Sequence, residues 1–334
     1  MGYPRQSQVC LNDTPYYHVI ARCVRRAWLW GFDEYAGRDY SHRKAWVLDR
    51  MAYLSSIFAI DICAYAVMSN HYHLVLHVHR DRIASWSPQE IIDRWSHLFR
   101  IPPVVQRWRE GLAHEAEADV ALGIIDRWRQ RLFDVSWFMR CLNEHLARRA
   151  NAEEGCTGRF WEGRFKSQAL LDEAGLFTAM TYVDLNPIRA GVCATPEESE
   201  FTSIYSRIQA LRSAPRDAHA SAKCIHASRL VPFKDQVAGR SRALPMRLFD
   251  YLELVDWSGR LVRADKPGVI DSRAPPIMER LNIDVATWRD AMRIRGNVFG
   301  RALGKLDRLR LHARAQGQSR IKGLARAQRL FRTA

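Results

Sequence analysis

The sequence has no apolar run approaching the ~18 residues that a membrane-spanning helix requires, and its opening Met-Gly-Tyr-Pro-Arg-Gln-Ser-Gln lacks the apolar core of a secretory signal. These absences set aside a helical membrane protein and point to a soluble, cytoplasmic chain. No Cys-x-x-Cys pair occurs among the seven cysteines, and their number is odd, so neither a disulfide framework nor a zinc knuckle is indicated. They read as reduced thiols. No internal repeat is present, which sets aside a solenoid. Acidic residues are the scarce charge: 36 Asp and Glu stand against 51 Lys and Arg, leaving +15 over 334 residues. Such a balance fits a partner made of phosphates, nucleic acid first. The imbalance is steepest between Ala291 and Ala334, where 12 basic residues stand against Asp307 alone. That segment reads equally as a solvated basic helix or as a phosphate-tracking tail.

With 47% apolar and 10% aromatic residues, the chain can bury one large core or two modest ones. Tyr17 to Val24 is β-branched and aromatic enough for a first strand, and Ser41 to Ile57 places Trp46, Leu48, Met51, Leu54 and Ile57 at helical spacing. Ile60 to Met68 and His71 to His79 form two apolar runs around Ser69-Asn70, a hairpin in which Asn suits the left-handed conformation. Ser87-Pro88-Gln89-Glu90 is a helix start with a serine cap, proline at the first position and glutamate three residues after the cap. It opens a Trp- and Arg-rich helical insertion, about 81–134. A further helix fits Val135 to Ala150. Arg164, Lys166 and Gln168 then alternate with Phe165, Ser167 and Ala169, a strand with one polar, basic face. Asp172 caps a last helix running toward Asn186-Pro187 and ending near Gly191.

The resulting order, β-α-β-β-α-β plus a helix, predicts an α+β fold of the ferredoxin-like, split βαβ type with extra helices. The first domain spans 1–210. Residues 211–244, rich in Ala, Ser and Arg, read as a linker or loosely packed arm, and 245–334 as a small, basic, mainly helical C-terminal region. Within it, Ile277 to Leu281 and Val285 to Ile294 around a turn at 282–284 resemble a helix-turn-helix, although two packed helices without DNA contact give the same pattern.

The chemistry begins with His71-Tyr72-His73. Two imidazoles separated by one residue on a strand point to the same side, which makes a preformed pair of metal ligands. His77 and His79 share the face but begin ~13 Å beyond His73 at the usual rise per residue, too far to complete the same sphere. On the last helix Tyr182 and Asn186 are one turn apart on one face, with Gly175 and Ala179 on the same stripe, small enough to let it approach other backbone closely. Pro187 disfavours helical geometry at Asn186, so a kink is expected there. Two neutral imidazoles and an amide oxygen leave positions open on a divalent ion, which can polarise a phosphate oxygen. A phenol beside such an ion becomes a usable nucleophile. Taken singly, a His-x-His strand, a helical tyrosine and an Asn-Pro each have ordinary packing explanations. The conjunction is what is specific.

Met68-Ser69-Asn70-His71-Tyr72-His73-Leu74-Val75-Leu76, with Gly163-Arg164-Phe165-Lys166-Ser167 and Tyr182-Val183-Asp184-Leu185-Asn186-Pro187-Ile188-Arg189-Ala190-Gly191, resembles the single-tyrosine transposases of the HUH endonuclease superfamily. Within these it looks closest to the REP-associated tyrosine transposases. The resemblance covers roughly residues 16–192. It implies a ferredoxin-like nuclease that binds single-stranded DNA with a hairpin (REP-like palindromes), cuts one strand and forms a 5′-phosphotyrosine while leaving a 3′-hydroxyl. By position it makes His71 and His73 metal ligands, Asn186 the third ligand and Tyr182 the nucleophile. Mg²⁺ or Mn²⁺ is the implied metal, whereas the ligand types alone would equally permit a softer transition metal. Arg159, Arg164, Lys166 and Arg189, interleaved with Phe160, Trp161 and Phe165, become phosphate and base-stacking contacts. Tyr72 stands where the family usually carries a bulky apolar residue, an amphipathic substitute that fits if its ring packs inward.

Two other functions fit parts of the sequence. A DNA- or RNA-binding regulator that keeps the fold without cutting has no need of a phenol opposite an imidazole pair. A small-molecule metal hydrolase lacks further His or carboxylate ligands nearby and leaves the positive charge unexplained. Monomer and homodimer are both compatible with the sequence.

Overall fold

The computed structural model describes residues 9–24, 32–33, 37–212, 229–237, 243–262, 278–279, 281, 283–293, 300–318 and 324–331. The protein is a mixed α+β fold around one five-stranded sheet. Strands β1 (Tyr16–Arg22), β4 (Ile60–Val67), β5 (His71–Val78), β6 (Lys166–Leu170) and β7 (Ala302–Leu303) lie in the order β4-β5-β1-β6-β7. Two-residue strands β2 (Phe32–Asp33) and β3 (Arg38–Asp39) pair separately. The first four sheet strands pair antiparallel, so β1 and β4 run parallel with β5 between them. That arrangement is the ferredoxin-like order expected from the sequence.

Alternation along the strands gives the sheet two different faces. Tyr17, Val19, Ala21, Tyr72, Leu74 and Leu76 point to one and are fully or almost fully buried. This face lies under α1 (Arg43–Ile57) and α6 (Val135–Glu153), and Tyr72 donates its hydroxyl to Asn143 Oδ1 on α6. Helix α1 buries Val47, Leu48, Met51, Leu54 and Ile57, a stripe at helical spacing, while half-buried Trp46 holds the Arg149 guanidinium 4.0 Å from its ring centre. Between β5 and α6 run α2 (Arg80–Ala84), α3 (Pro88–Ser96), α4 (Pro103–Arg109) and α5 (Glu115–Arg131). Helix α3 starts at the expected place, with Ser87 and Glu90 forming both halves of a capping box.

The opposite face carries His18, Ile20, His71, His73 and Val75, and α7 (Glu173–Asp184) lies over it. Asp172 caps α7 by accepting from the Gly175 amide, while its second oxygen accepts from the Lys305 amide at 2.6 Å. One carboxylate therefore starts the helix and pins the C-terminal segment. A Cβ added at Gly175 would lie 2.5 Å from the Leu303 carbonyl oxygen, so the small residue at that position is what lets α7 seat against β7.

Several details differ from the sequence expectations. The hairpin turn at Ser69-Asn70 does not use a positive φ; among the described non-glycine residues only Phe201 has one. Asn70 instead serves the turn with its side chain, as shown below. The last helix is broken rather than continuous: α7 ends at Asp184 and α8 (Asn186–Arg189) begins after Leu185, with Pro187 in its first turn. Strand β6 begins at Lys166, leaving Arg164 in the preceding loop. Part of 211–244 packs tightly: Leu230, Val231, Phe233 and Leu244 are buried, and the Val231 amide donates to Ile62 O. A short apolar cluster within an Ala, Ser and Arg background carries this packing, and average composition obscured it. Residues after 245 reach the sheet through β7 and the site helix through α10 (Leu248–Val262). Tyr251 of α10, Ser203 Oγ and the Ile204 amide all donate to Asp184, whose carboxyl burial pushes up to about 6. Of the suggested helix-turn-helix, Val285–Arg293 is helical, and so are Met278 and Glu279 in its first half, whereas residues 277, 280, 282 and 294 lie outside the described residues.

Candidate functional site

The histidines of β5 leave the strand on the face that α7 covers. The His71 and His73 ring centres are 5.0 Å apart, with the planes inclined by 72°. Strand pairing sets Arg22 opposite His71 and Ile20 opposite His73, and Lys166 in turn opposite Ile20. Arg22 and Lys166, both exposed, therefore share the histidine face. From above, α7 brings the Tyr182 ring edge-on to His73, centres 6.0 Å apart, and to His18 at 6.3 Å. The break at Leu185 then turns Asn186 inward, and its Nδ2 donates to His73 Nε2 at 3.1 Å. Tyr182 and Asn186 thus both meet His73, which in turn stands beside His71.

Each ring of the pair is tethered through Nδ1. Asn70 Oδ1 accepts from His71 Nδ1 at 2.7 Å, and His73 Nδ1 lies 2.9 Å from His18 Nε2. Both Nε2 atoms are left with lone pairs. Burial lowers the pKa of His71 to about 4, with Arg22 adding to the shift. Burial holds His73 well below the ordinary histidine range, reinforced by His18, His71, Arg189 and Arg22. The imidazoles are therefore neutral at neutral pH, the form in which they bind metal. Among the described residues, no group of three or more His, Cys, Asp or Glu is placed to hold a metal ion. The donor set that fits one is smaller: two neutral Nε2 atoms and the Asn186 amide.

The remaining expected residues have varied surroundings. Arg189 is buried, its guanidinium carbon 4.0 Å above the Tyr182 ring centre and its Nε donating to Met292 O. Arg159 turns back on its own loop, donating to the Trp161 and Glu162 carbonyls. Phe160 and Trp161 are half-buried against the core, Trp161 donating Nε1 to Asn143 O and standing edge-on to Tyr72. Tyr72 itself is fully buried, its ring packed inward as the sequence required. Arg164 and Lys166 are exposed.

His77 and His79 form a separate cluster at the far end of β5, ring centres 3.9 Å apart. His77 stacks on Tyr16, and His79 Nε2 lies 2.7 Å from an Asp61 oxygen that also receives Arg82.

Sequence reasoning missed His18 and Arg22. Both lie on the site face of β1, and the legible signal for His18 was a single imidazole inside the otherwise apolar run Tyr17-His18-Val19-Ile20-Ala21.

No family model matches the chain, and no curated protein matches it. Among solved structures, that of a REP-associated tyrosine transposase bound to a REP hairpin is similar over 70% of this chain and 92% of that one, with a TM-score of 0.34 and 12% sequence identity. The assignment of the site stands on the geometry above. Among the described residues, no helix is long and apolar enough to cross a membrane.

Proposed function

We propose that the protein is a metal-dependent single-strand DNA endonuclease and strand transferase that cuts near a hairpin through Tyr182. The observation that carries this reading is the meeting of a tyrosine and an asparagine from one broken helix with two neutral imidazoles on a strand, among basic residues from that same helix and two other strands. The basic residues are Arg22, Lys166 and Arg189. A phenol beside neutral nitrogen donors and cations suits attack on a phosphodiester, a reaction that holds negative charge on the phosphoryl oxygens. The resemblance in the three sequence blocks points to the same chemistry.

In this reading His71 Nε2, His73 Nε2 and the Asn186 amide would hold a divalent ion, Mg²⁺ or Mn²⁺, which when bound would polarise a phosphate oxygen. Turning the Asn186 amide exchanges the Nδ2 that now faces His73 for Oδ1. Tyr182 Oη forms the new bond to phosphorus and gives up its proton, the bond from phosphorus to the 3′ oxygen breaks, and that oxygen takes a proton to leave as a 3′-hydroxyl. The 5′-phosphotyrosine keeps the energy of the broken bond for rejoining. Arg189, fixed above the phenol ring by Met292 O, neutralises phosphate charge beside the nucleophile. Arg159, Phe160, Trp161, Arg164 and Lys166 extend the contact along the strand, with the exposed Arg164 and Lys166 meeting phosphates first.

The test is incubation with a 3′-labelled single strand bearing a hairpin, with Mn²⁺, followed by denaturing electrophoresis. A protein-linked label that disappears with EDTA and in Tyr182→Phe is expected. Binding that survives EDTA with no adduct under any metal would replace this reading by that of a non-cleaving nucleic-acid-binding regulator.

A further inference from the structure

We propose that His18 and Gln168 are positioning residues that fix the tautomer of His73, so that its Nε2 lone pair is always presented to the site. A chain of contacts determines every proton in turn. Gln168 Nε2 donates to the Gly300 carbonyl at 2.7 Å, which settles which end of that amide is which. Its Oε1, an acceptor only, therefore faces His18 Nδ1 at 3.4 Å, and that nitrogen must carry hydrogen. A neutral imidazole has one N–H, so His18 Nε2 is bare. His73 Nδ1, 2.9 Å away, must then be the donor. His73 Nε2 is left as a lone pair, and Asn186 Nδ2 donates to it at 3.1 Å. The two ring centres are 5.2 Å apart with planes inclined by 16°, an arrangement compatible with an in-plane N–H to N contact. His18 and Gln168 are each 4% exposed, so water does not compete for these bonds.

The relay starts outside the sequence blocks that carry the resemblance. Gly300 immediately precedes the segment that adds β7 to the sheet, so the C-terminal region orients the acceptor on which the whole chain depends. Outer partners of this kind fix ring orientation and basicity, and their loss typically lowers metal affinity about 10–100-fold.

The metal part of the inference rests on the function proposed above, whereas the tautomer does not. Nitrogen-15 spectra of the metal-free protein should show His73 protonated at Nδ1 and bare at Nε2. His18→Phe should let His73 exchange tautomers and weaken Mn²⁺ binding about 10–100-fold. His18→Gln, which keeps an acceptor at the position of Nε2, should restore both, an effect that a purely structural role would not produce. If His18→Phe fails to fold, Gln168→Met supplies the same readout by freeing His18 to exchange. A wild-type His73 protonated at Nε2 would overturn the proposal, as would folded variants with unchanged His73 spectra. A correct His73 tautomer in a protein that binds no Mn²⁺ would uphold the relay and remove the metal-dependent function instead.

Discussion

The same pattern occurs twice along β5 and its exit, His71-Tyr72-His73 at one end and His77-Val78-His79 at the other, where His79 is the residue just past the strand, and the two pairs have opposite surroundings. The first faces an amide, a phenol and three cations, with its two Nε2 atoms unprotonated. The second faces Asp61 and Arg82, an ion pair that receives His79, while His77 is laid flat on Tyr16. Local geometry does not separate them. What does is the element lying opposite: α7 and α8 over the first, and the carboxylate of β4 with α2 over the second. A His-x-His strand becomes a candidate active centre when another part of the chain brings complementary groups to it without an ion pair that quenches them.

The largest expected effect breaks this comparison directly. Replacing His71 and His73 together by Ala should lower adduct formation by about 10³-fold or more, the scale of losing a catalytic unit. The same change at His77 and His79 should leave cleavage within a few-fold, measured on the same hairpin substrate. Equal losses from both pairs would place the chemistry elsewhere.

The next prediction concerns how α7 is held over the first pair. Gly175→Ala pushes a methyl group into the Leu303 backbone carbonyl, which has no side-chain freedom to move aside, and should destabilise the protein by about 2–3 kcal/mol in denaturant titrations. Imidazole spectra should shift at His73 and not at His77. Arg189→Lys keeps the charge but not the flat guanidinium above Tyr182, and a fall in cleavage of about tenfold is expected with little change in His71.

The smallest effect is pH dependence of the metal-free protein. His18 and His71 have folded pKa values of about 4, below the ordinary 6.5, so below 6.5 the unfolded chain takes up protons that the folded chain refuses. Stability should therefore fall as pH drops from 6.5 toward 4, by about 1.4 kcal/mol per pH unit for each such group at most. Asp184 works in the other direction. Its carboxyl is raised to about 6, so it contributes stability that is present at low pH and lost as pH rises through 6. Asp184→Asn should steepen the acid-side loss in chemical denaturation between pH 7 and 5, and an unchanged slope would remove Asp184 from the account.

Much of the frame was legible because it depends on local rules. The capping box at Ser87, the Asp172 cap, the alternation in β5 and the small residue at Gly175 each require a particular side chain within a few residues of a particular backbone geometry. Boundaries were less legible at Leu185, where Pro187 breaks the helix instead of merely kinking it. The apolar run Leu230 to Phe233 was hidden by averaging over a polar stretch. His18 escaped because its partners stand 55 and 150 residues away, and nothing near it in sequence announces either.

The sequence by itself determined which side chains share a face: His71 with His73 by the twofold period of a strand, Tyr182 with Asn186 by the turn of a helix. Only the tertiary structure decided which face meets which, because strand order and helix placement follow from burying the whole apolar surface at once. That choice set Tyr182 and Asn186 over His71-Tyr72-His73 and left His77 and His79 to an ion pair. It also drew His18, Gln168 and Gly300 into a proton-ordered line that no local spacing encodes.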